Sequence, residues 1–250
     1  MSKTTMTKKQ TNEILEMLKD DTNYYGEYGR QFLSNSNIRT LLNDPLNFGN
    51  PTEPHLNLVK GQYFHNIVLE PEKKDDFRII DASSRNTKIY KEEAAGEICL
   101  LTKERDELEH LVDIMLRNPT AHDLIRDLDV EYEVPGVINL AGEWWKLKAD
   151  IVNRTQGFIV DIKTTGDIDK FESSAWTFNY DSQAYIYSEY FGLDFVFVVM
   201  CKKSGRLGIF DCSPEFIARG KQKVINAVEA YRKFTDVSFD PNAYFMAKTL

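Results

Sequence analysis

Apolar positions change period twice along this chain. Up to about residue 128 they recur at helical spacing. Ile14, Leu15 and Leu18 predict a short amphipathic helix from about Thr11 to Asp20, behind a polar tail over residues 1–10. The segment with Tyr24, Tyr25, Gly26, Tyr28 and Gly29 reads as loop. Ser34-Asn35-Ser36 then offers a cap to a helix carrying Ile38, Leu41 and Leu42, which stops before Pro45. A proline-bearing loop, Pro45 to Pro54, leads to an expected helix from about His55 to Leu69. Phe64, Ile67 and Val68 give it a core face, and Pro71 ends it. Residues 72–100 are mixed and charged, with a strand expected near Phe77 to Ile80. Leu101, Leu108, Leu111, Val112, Met115 and Leu116 mark a further helix stopped by Asn118-Pro119, and a short one follows over about 121–128.

Alternation then replaces the helical period. Asp129 to Pro135 reads as a strand, punctuated by Gly136 and Gly142, and Lys146 to Thr165 reads as a hairpin whose turn centres on Thr155 and Gln156. A long helix is expected from Asp169 to Phe191, ended by Gly192. Asp194 to Cys201 is a short apolar run, expected as a strand buried on both faces. A turn over Lys202-Lys203-Ser204-Gly205 leads to a strand over Arg206 to Asp211. Ser213-Pro214-Glu215 starts a last helix with Ile217, Val224, Ile225 and Val228 as its stripe. The order is helices, then β-β-β-α-β-β-α. It predicts an α/β (α+β) fold with a mixed β-sheet flanked by helices. Residues 1–20 are expected as a tail and short helix, and 21–250 as one domain.

The hairpin carries the first chemistry. The turn register places Asp150 opposite Asp161, and strand alternation puts Lys163 on the face of Asp161 with Ile162 on the other. Like charges placed opposite one another destabilise a sheet. Such a hairpin is either well solvated or holds a cation. Its neighbours Ile151, Val152, Val160 and Ile162 predict burial, and buried carboxylates need a partner, so the cation is the better reading. Lys163 also fits as the plain ion-pair partner of the two acids.

Composition narrows the setting. The formal charge of −8, from 39 acids against 31 bases, excludes a protein coated in basic charge but not a local basic groove. The three cysteines, Cys99, Cys201 and Cys212, form no Cys-x-x-Cys pair, which disfavours a zinc knuckle or iron–sulfur site. No signal-like segment and no apolar run of bilayer length is present, so a soluble protein of the cytoplasm with no membrane partner is expected.

Four further features converge on the hairpin: His65 in Gly61-Gln-Tyr-Phe-His65, Glu131 and Glu133 on the preceding strand, and Gln183 with Tyr187, four apart on the expected long helix. Taken in order, His65, Asp150 in Lys-Ala-Asp, Asp161-Ile-Lys163 and Gln183-Ala-Tyr-Ile-Tyr187 resemble the RecB/RecE-like branch of the PD-(D/E)XK nucleases. Ser34-Asn-Ser36 through Leu41-Leu42-Asn-Asp-Pro45, Gly61-x-x-x-His65-x-x-x-Leu69-Glu70-Pro71 and the stretch from Asn118-Pro119 to Ile125 are similar to the exodeoxyribonuclease VIII (RecE) C-terminal domain and its phage relatives. The resemblance covers roughly residues 30–235. Each motif is weak alone, and their order on matching elements gives them weight.

Phosphodiester hydrolysis needs a nucleophilic water near neutral pH and relief of charge on the phosphate, and a divalent metal supplies both. Asp150 and Asp161 are oxygen ligands of the kind Mg2+ or Mn2+ takes, and the Ile162 backbone carbonyl can add a third. Lys163 would orient or help deprotonate the water and stabilise the developing oxyanion. The resemblance implies the rest: His65 as a metal ligand, Glu131 (preferred over Glu133) completing the site, and Gln183 with Tyr187 holding the DNA backbone and bracing the site. It also implies 5′ to 3′ resection of linear duplex DNA from an end, a ring-shaped homo-oligomer, a single-strand annealing protein as partner, and a bacterial host cytoplasm if the chain is phage-encoded. Two other functions compete. One is a single-strand repair exonuclease of the same superfamily, and the other is an inactive DNA-binding module, against which the intact Asp150, Asp161 and Lys163 set argues. His55, His110 and His122 have no comparable context and read as structural or surface residues. Trp144 and Trp145 read as packing, with one pointing outward. Lys202, Lys203, Arg206, Arg219, Lys221 and Lys223 read as a solvated face or a local DNA path.

Overall fold

The structure, a computed structural model, describes residues 6–50 and 53–240. Helix α1 (Lys8–Lys19) begins earlier than its apolar stripe, because Thr7 and Gln10 close a reciprocal capping box at its start. The expected tail is therefore helical from Lys8; residues 1–5 lie outside the described residues. The aromatic stretch expected as loop holds α2 (Asp21–Tyr25), capped by Asp20, and a 3-10 turn over Tyr28–Gln31. Helices α3 (Asn35–Asn43) and α4 (Leu56–Leu69) follow their predicted spans, and the His55 imidazole accepts from Leu58 N as the cap of α4 at 3.1 Å. A small unit of β1 (Ile79–Ile80), α5 (Lys88–Ala94) and β2 (Leu100–Leu101) encloses its own core of Ile80, Tyr90, Ala94, Cys99 and Leu101. Helices α6 (Thr102–Arg117) and α7 (Pro119–Arg126) then meet at Asn118, which caps α7.

The main sheet contains β3 (Val130–Leu140), β4 (Glu143–Asn153), β5 (Phe158–Thr165), β6 (Asp194–Cys201) and β7 (Leu207–Asp211), ordered β3-β4-β5-β6-β7. Within this sheet the β5–β6 pair is parallel, joined by the crossover that holds α8 (Phe171–Thr177) and α9 (Tyr180–Phe191), and the other pairs are antiparallel. The last helix is α10 (Pro214–Phe234). Two expectations are corrected. Strand β3 runs through Gly136, where a Cβ would sit 2.6 Å from the Tyr190 ring, so the glycine serves close approach rather than a turn. The expected helix 169–191 is broken at Asn179, which adopts φ +59°, a conformation asparagine tolerates better than most residues.

Helices cover both faces of the sheet. On one side α3, α9 and α10 pack on Trp145, Leu147, Ala149, Ile159, Phe195, Phe197 and Val199. On the other, α4, α6 and α7 pack on Ile151, Val160, Ile162, Val196, Val198 and Met200. Strand β6 contributes to both cores by strict alternation, as a central strand should. Trp145 is buried and Trp144 is partly exposed. This is a mixed α/β fold with a five-stranded sheet flanked by helices.

The sheet forks at its centre. Strands β4 and β5 pair over only three steps, Asn153–Phe158, Val152–Ile159 and Ile151–Val160. Beyond that, β4 stays with β3 and β5 stays with β6. Asp150 and Asp161 are the first residues past the last pair.

Candidate active site

The fork leaves backbone donors without a strand partner, and one of them is taken by a side chain. Asp150 Oδ2 accepts from Ile162 N at 2.9 Å, so the carboxylate stands where the next rung of the ladder would be. From the α4 side, His65 Nδ1 lies 3.4 Å from the same oxygen. Asp161 is 1% exposed and faces the other helical layer, where Gln183 of α9 donates to its Oδ1 at 2.5 Å. Asp161 Oδ2 is buried and is met by the Lys163 ammonium at 2.5 Å. Tyr187, one turn on from Gln183, donates to Lys148 O at 3.1 Å and ties α9 to β4. The structure thus brings His65, Asp150, Asp161, Lys163, Gln183 and Tyr187 to one fork. The Ile162 side chain is fully buried in the core beneath α4, α6 and α7.

Electrostatics follow from burial. Desolvation pushes the Asp161 carboxyl up to about 6, and the Asp150 charge adds to this, against the pull of the Lys163 ammonium. Desolvation works against the Lys163 charge, but Asp161 and Asp150 outweigh it and hold the ammonium above its ordinary range. Burial also raises the Tyr187 phenol, so it stays a neutral donor.

Two groups of predicted residues stand apart from the rest in their surroundings. Glu131 is paired with Val152 in register, and its carboxylate lies 2.8 Å from Arg154 Nε near the hairpin turn, exposed and away from the fork. Glu133 is the acid near the site. It adopts φ +50°, and desolvation together with the Asp150 charge raises its carboxyl to about 8. Simple alternation puts both acids on one face, and the left-handed step at Glu133 breaks that alternation. Gln183 and Tyr187 are 9% and 8% exposed and hydrogen-bonded to Asp161 and to the Lys148 carbonyl.

Sequence reasoning also missed a polar girdle beside the fork. Lys148 of β4 is 2.5 Å from Asp21 of α2, and Lys73 bridges Asp21 at 2.9 Å and Glu70 at 2.6 Å. The Glu70-Pro71 motif is the one signal that pointed here; nothing local marks Asp21. Of the basic run, Arg206 pairs with Asp169, and Lys223 and Arg219 approach the fully buried Asp181.

Among the described residues, no three His, Cys, Asp or Glu side chains stand together in ligating position. Asp161 instead gives one oxygen to Gln183 and the other to Lys163. The donor set nevertheless fits a hard divalent ion: two carboxylates and an imidazole lie around the fork, and Asp161 Oδ2 is already buried against a cation, the Lys163 ammonium.

Comparison with known proteins bears on the fold. No curated protein matches the chain. The crystal structure of a "Putative exonuclease" from Eubacterium rectale superposes with a TM-score of 0.67 at 16% identity, covering 92% of this chain and 95% of that one. At that identity the likeness establishes the fold. A phage related exonuclease from Haemophilus somnus 129PT is 17% identical over 80% of this chain and 93% of its own, with a TM-score of 0.36. No helix among the described residues is long and apolar enough to cross a membrane. Residues 35–243 match the PDDEXK-like domain of unknown function DUF3799, and the chain belongs to that family of nuclease-like folds.

Proposed function

We propose that this chain is a metal-dependent deoxyribonuclease that degrades linear double-stranded DNA from an end. The observation that carries the reading is the forked sheet. It brings Asp150 and Asp161 to the same open step, with Asp161 buried and its Oδ2 held against the Lys163 ammonium at 2.5 Å. Burying two acids and a lysine in this way is costly unless the site binds something.

Asp150, Asp161 and His65 would hold Mg2+ or Mn2+, with the Ile162 carbonyl as a further ligand. A divalent ion supplies charge relief at the scissile phosphate and a more acidic water. The chain's own groups do the rest. Gln183 fixes the rotamer of Asp161, and the Ile162 amide fixes that of Asp150. Tyr187 keeps α9 and β4 in register, so the two sides of the fork cannot drift apart. Lys163 orients the attacking water and donates to the oxygen on which negative charge grows, the role of a preorganised cation. Glu133, which shares the unpaired β3–β4 step with Asp150, takes the place of Glu131 as the acid that completes the site.

The polarity of resection, a ring-shaped assembly and an annealing partner belong to the same reading through the resemblance to RecE-type exonucleases. Linear duplex DNA carrying 5′ or 3′ end label, incubated with the protein and magnesium, tests it. Early release of 5′ label as mononucleotide is the expected result. Intact label at both ends after prolonged incubation would overturn it.

A further inference from the structure

Two large aromatic side chains stand in solvent beside the fork. Trp176 is 50% exposed and Phe178 49%, on the corner between α8 and α9. Asn179, at φ +59°, sets that corner. The pair is not a loose surface feature. The Arg219 guanidinium lies 3.5 Å from the centroid of the Trp176 ring, and Lys223 Nζ donates to Trp176 O at 3.1 Å. Both cations come from α10; Lys223 donates to the carboxylate of Asp181, which has no exposed surface, at 2.8 Å, and Arg219 stands 3.9 Å from the same carboxylate. Two cations, Lys223 and Arg219, therefore stand at the corner, with the exposed acids Glu172 and Glu215 one helical turn from Trp176 and Arg219. Gly220 lies between them, where a Cβ would come within 2.0 Å of Asp181 O, so α10 is pressed close against the start of α9.

The aromatic surface continues inward to the chemistry. Phe178 and Tyr180 are 6.0 Å apart with rings tilted by 34°, and Lys163 Nζ is 5.0 Å from the Tyr180 centroid. Lys163 in turn meets Asp161. A path of π faces therefore leads from solvent to the ammonium at the fork.

We infer that the Trp176–Phe178 corner is a stacking platform for an unpaired nucleobase of the strand being cut, next to the scissile phosphate. The inference rests on the nuclease reading above and adds how a duplex end is held open. Every base has a π face, so stacking on aromatic rings grips single strands without regard to sequence, and the basic side chains Arg219 and Lys223 beside the rings suit the backbone. A protein partner would need a broader apolar surface than two rings flanked by cations. Duplex DNA alone offers rings only at its terminal pair, so the platform selects ends, tails and frayed strands over internal duplex.

The test uses the full chain in EDTA, so that DNA is bound but not cut. The probe is a duplex with a short single-stranded tail carrying 2-aminopurine as its terminal base. Wild-type protein is expected to quench the probe, and Trp176→Leu with Phe178→Leu to remove the quench and weaken binding roughly 5- to 150-fold. Trp176→Phe should retain most of both, since it keeps a ring. Leucine keeps the corner apolar, and an unchanged thermal melt shows that the variants fold. Equal affinity and equal quenching in the leucine variant would overturn the inference. If that variant also digests linear duplex with magnesium at the wild-type rate, the nuclease reading stands without the platform. If wild-type protein neither binds the probe nor digests DNA, both readings fail.

Discussion

Glu133 and Asp150 occupy the one step of the β3–β4 ladder that is not paired, between Tyr132–Ile151 and Val134–Ala149. On both strands the side chains change faces there. Tyr132 and Ile151 belong to the core beneath α4, α6 and α7, whereas Val134 and Ala149 belong to the core beneath α3, α9 and α10. Glu133 makes the change possible by adopting φ +50°. A non-glycine residue in that region is strained by about 1–2 kcal/mol. The strain sits beside the carboxylate that joins His65 to the Ile162 amide, where a strand in regular alternation would have carried Asp150 past the fork.

The pH dependence of metal-free stability should show this. Burial and the Asp150 charge raise the Glu133 carboxyl to about 8, well above its unfolded value. Between about pH 4.5 and 8 the folded state therefore binds more protons than the unfolded state, and stability falls as pH rises through that window. Thermal melts in EDTA are expected to drop from pH 5 to pH 8.5 in the wild type and to drop less in Glu133→Gln. Parallel curves for the two proteins would contradict the assignment.

Glu104 gives the opposite slope far from the fork. It is 12% exposed, lies 2.5 Å from Arg85 and 2.8 Å from Lys60, and accepts from Leu101 N at the start of α6. Desolvation alone would raise it, but the Arg85 bond, the backbone bond and the Lys60 ion pair bring it down to about 2. Its contribution, on the order of 3 kcal/mol, is present above the unfolded value and lost as pH falls from about 4.5 toward 2. Glu104→Gln should flatten acid unfolding over that range in urea melts.

Removing Gln183 should cost stability as well as activity. Its amide is the hydrogen-bond donor to Asp161 Oδ1, and the other Asp161 oxygen is engaged by Lys163. Gln183→Ala leaves a buried acceptor unpaired, which costs about 1–3 kcal/mol. Denaturant melts without metal should report that loss, and a change under about 0.5 kcal/mol, typical of a surface substitution, would place Gln183 outside the bracing role.

Metal binding has its own readout. Magnesium or manganese should raise the melting temperature of the wild type, since a ligand of the folded state stabilises by mass action. The shift should vanish in Asp161→Asn. Because His65 supplies an imidazole, a softer ligand than carboxylate, manganese should support digestion at least as well as magnesium. Activity with magnesium and none with manganese would remove His65 from the ligand set.

Much of this arrangement was legible in the residues. The polar turn ending in Gly157 fixed the hairpin register, and the register alone places Asp150 and Asp161 together at the fork. Continuous apolar character made β6 a strand covered on both faces. What failed was periodic reasoning across a local exception. The left-handed conformations of Glu133 and Asn179 each break a period; asparagine is a hint, and glutamate is none. The fork, the Asp21–Lys148 pair and the packing of Tyr190 on Gly136 are contacts between distant parts of the chain, which no local pattern encodes.

The central claim is that the fork hydrolyses DNA through Asp161 and Lys163. Digestion of linear duplex in magnesium by the wild type, Asp161→Asn and Lys163→Ala, with circular dichroism confirming that each is folded, tests it most directly. The account predicts degradation by the wild type and a loss of at least about 10³-fold in both variants, the scale expected for removing a preorganised charge from a site. Wild-type rates in either folded variant would contradict it.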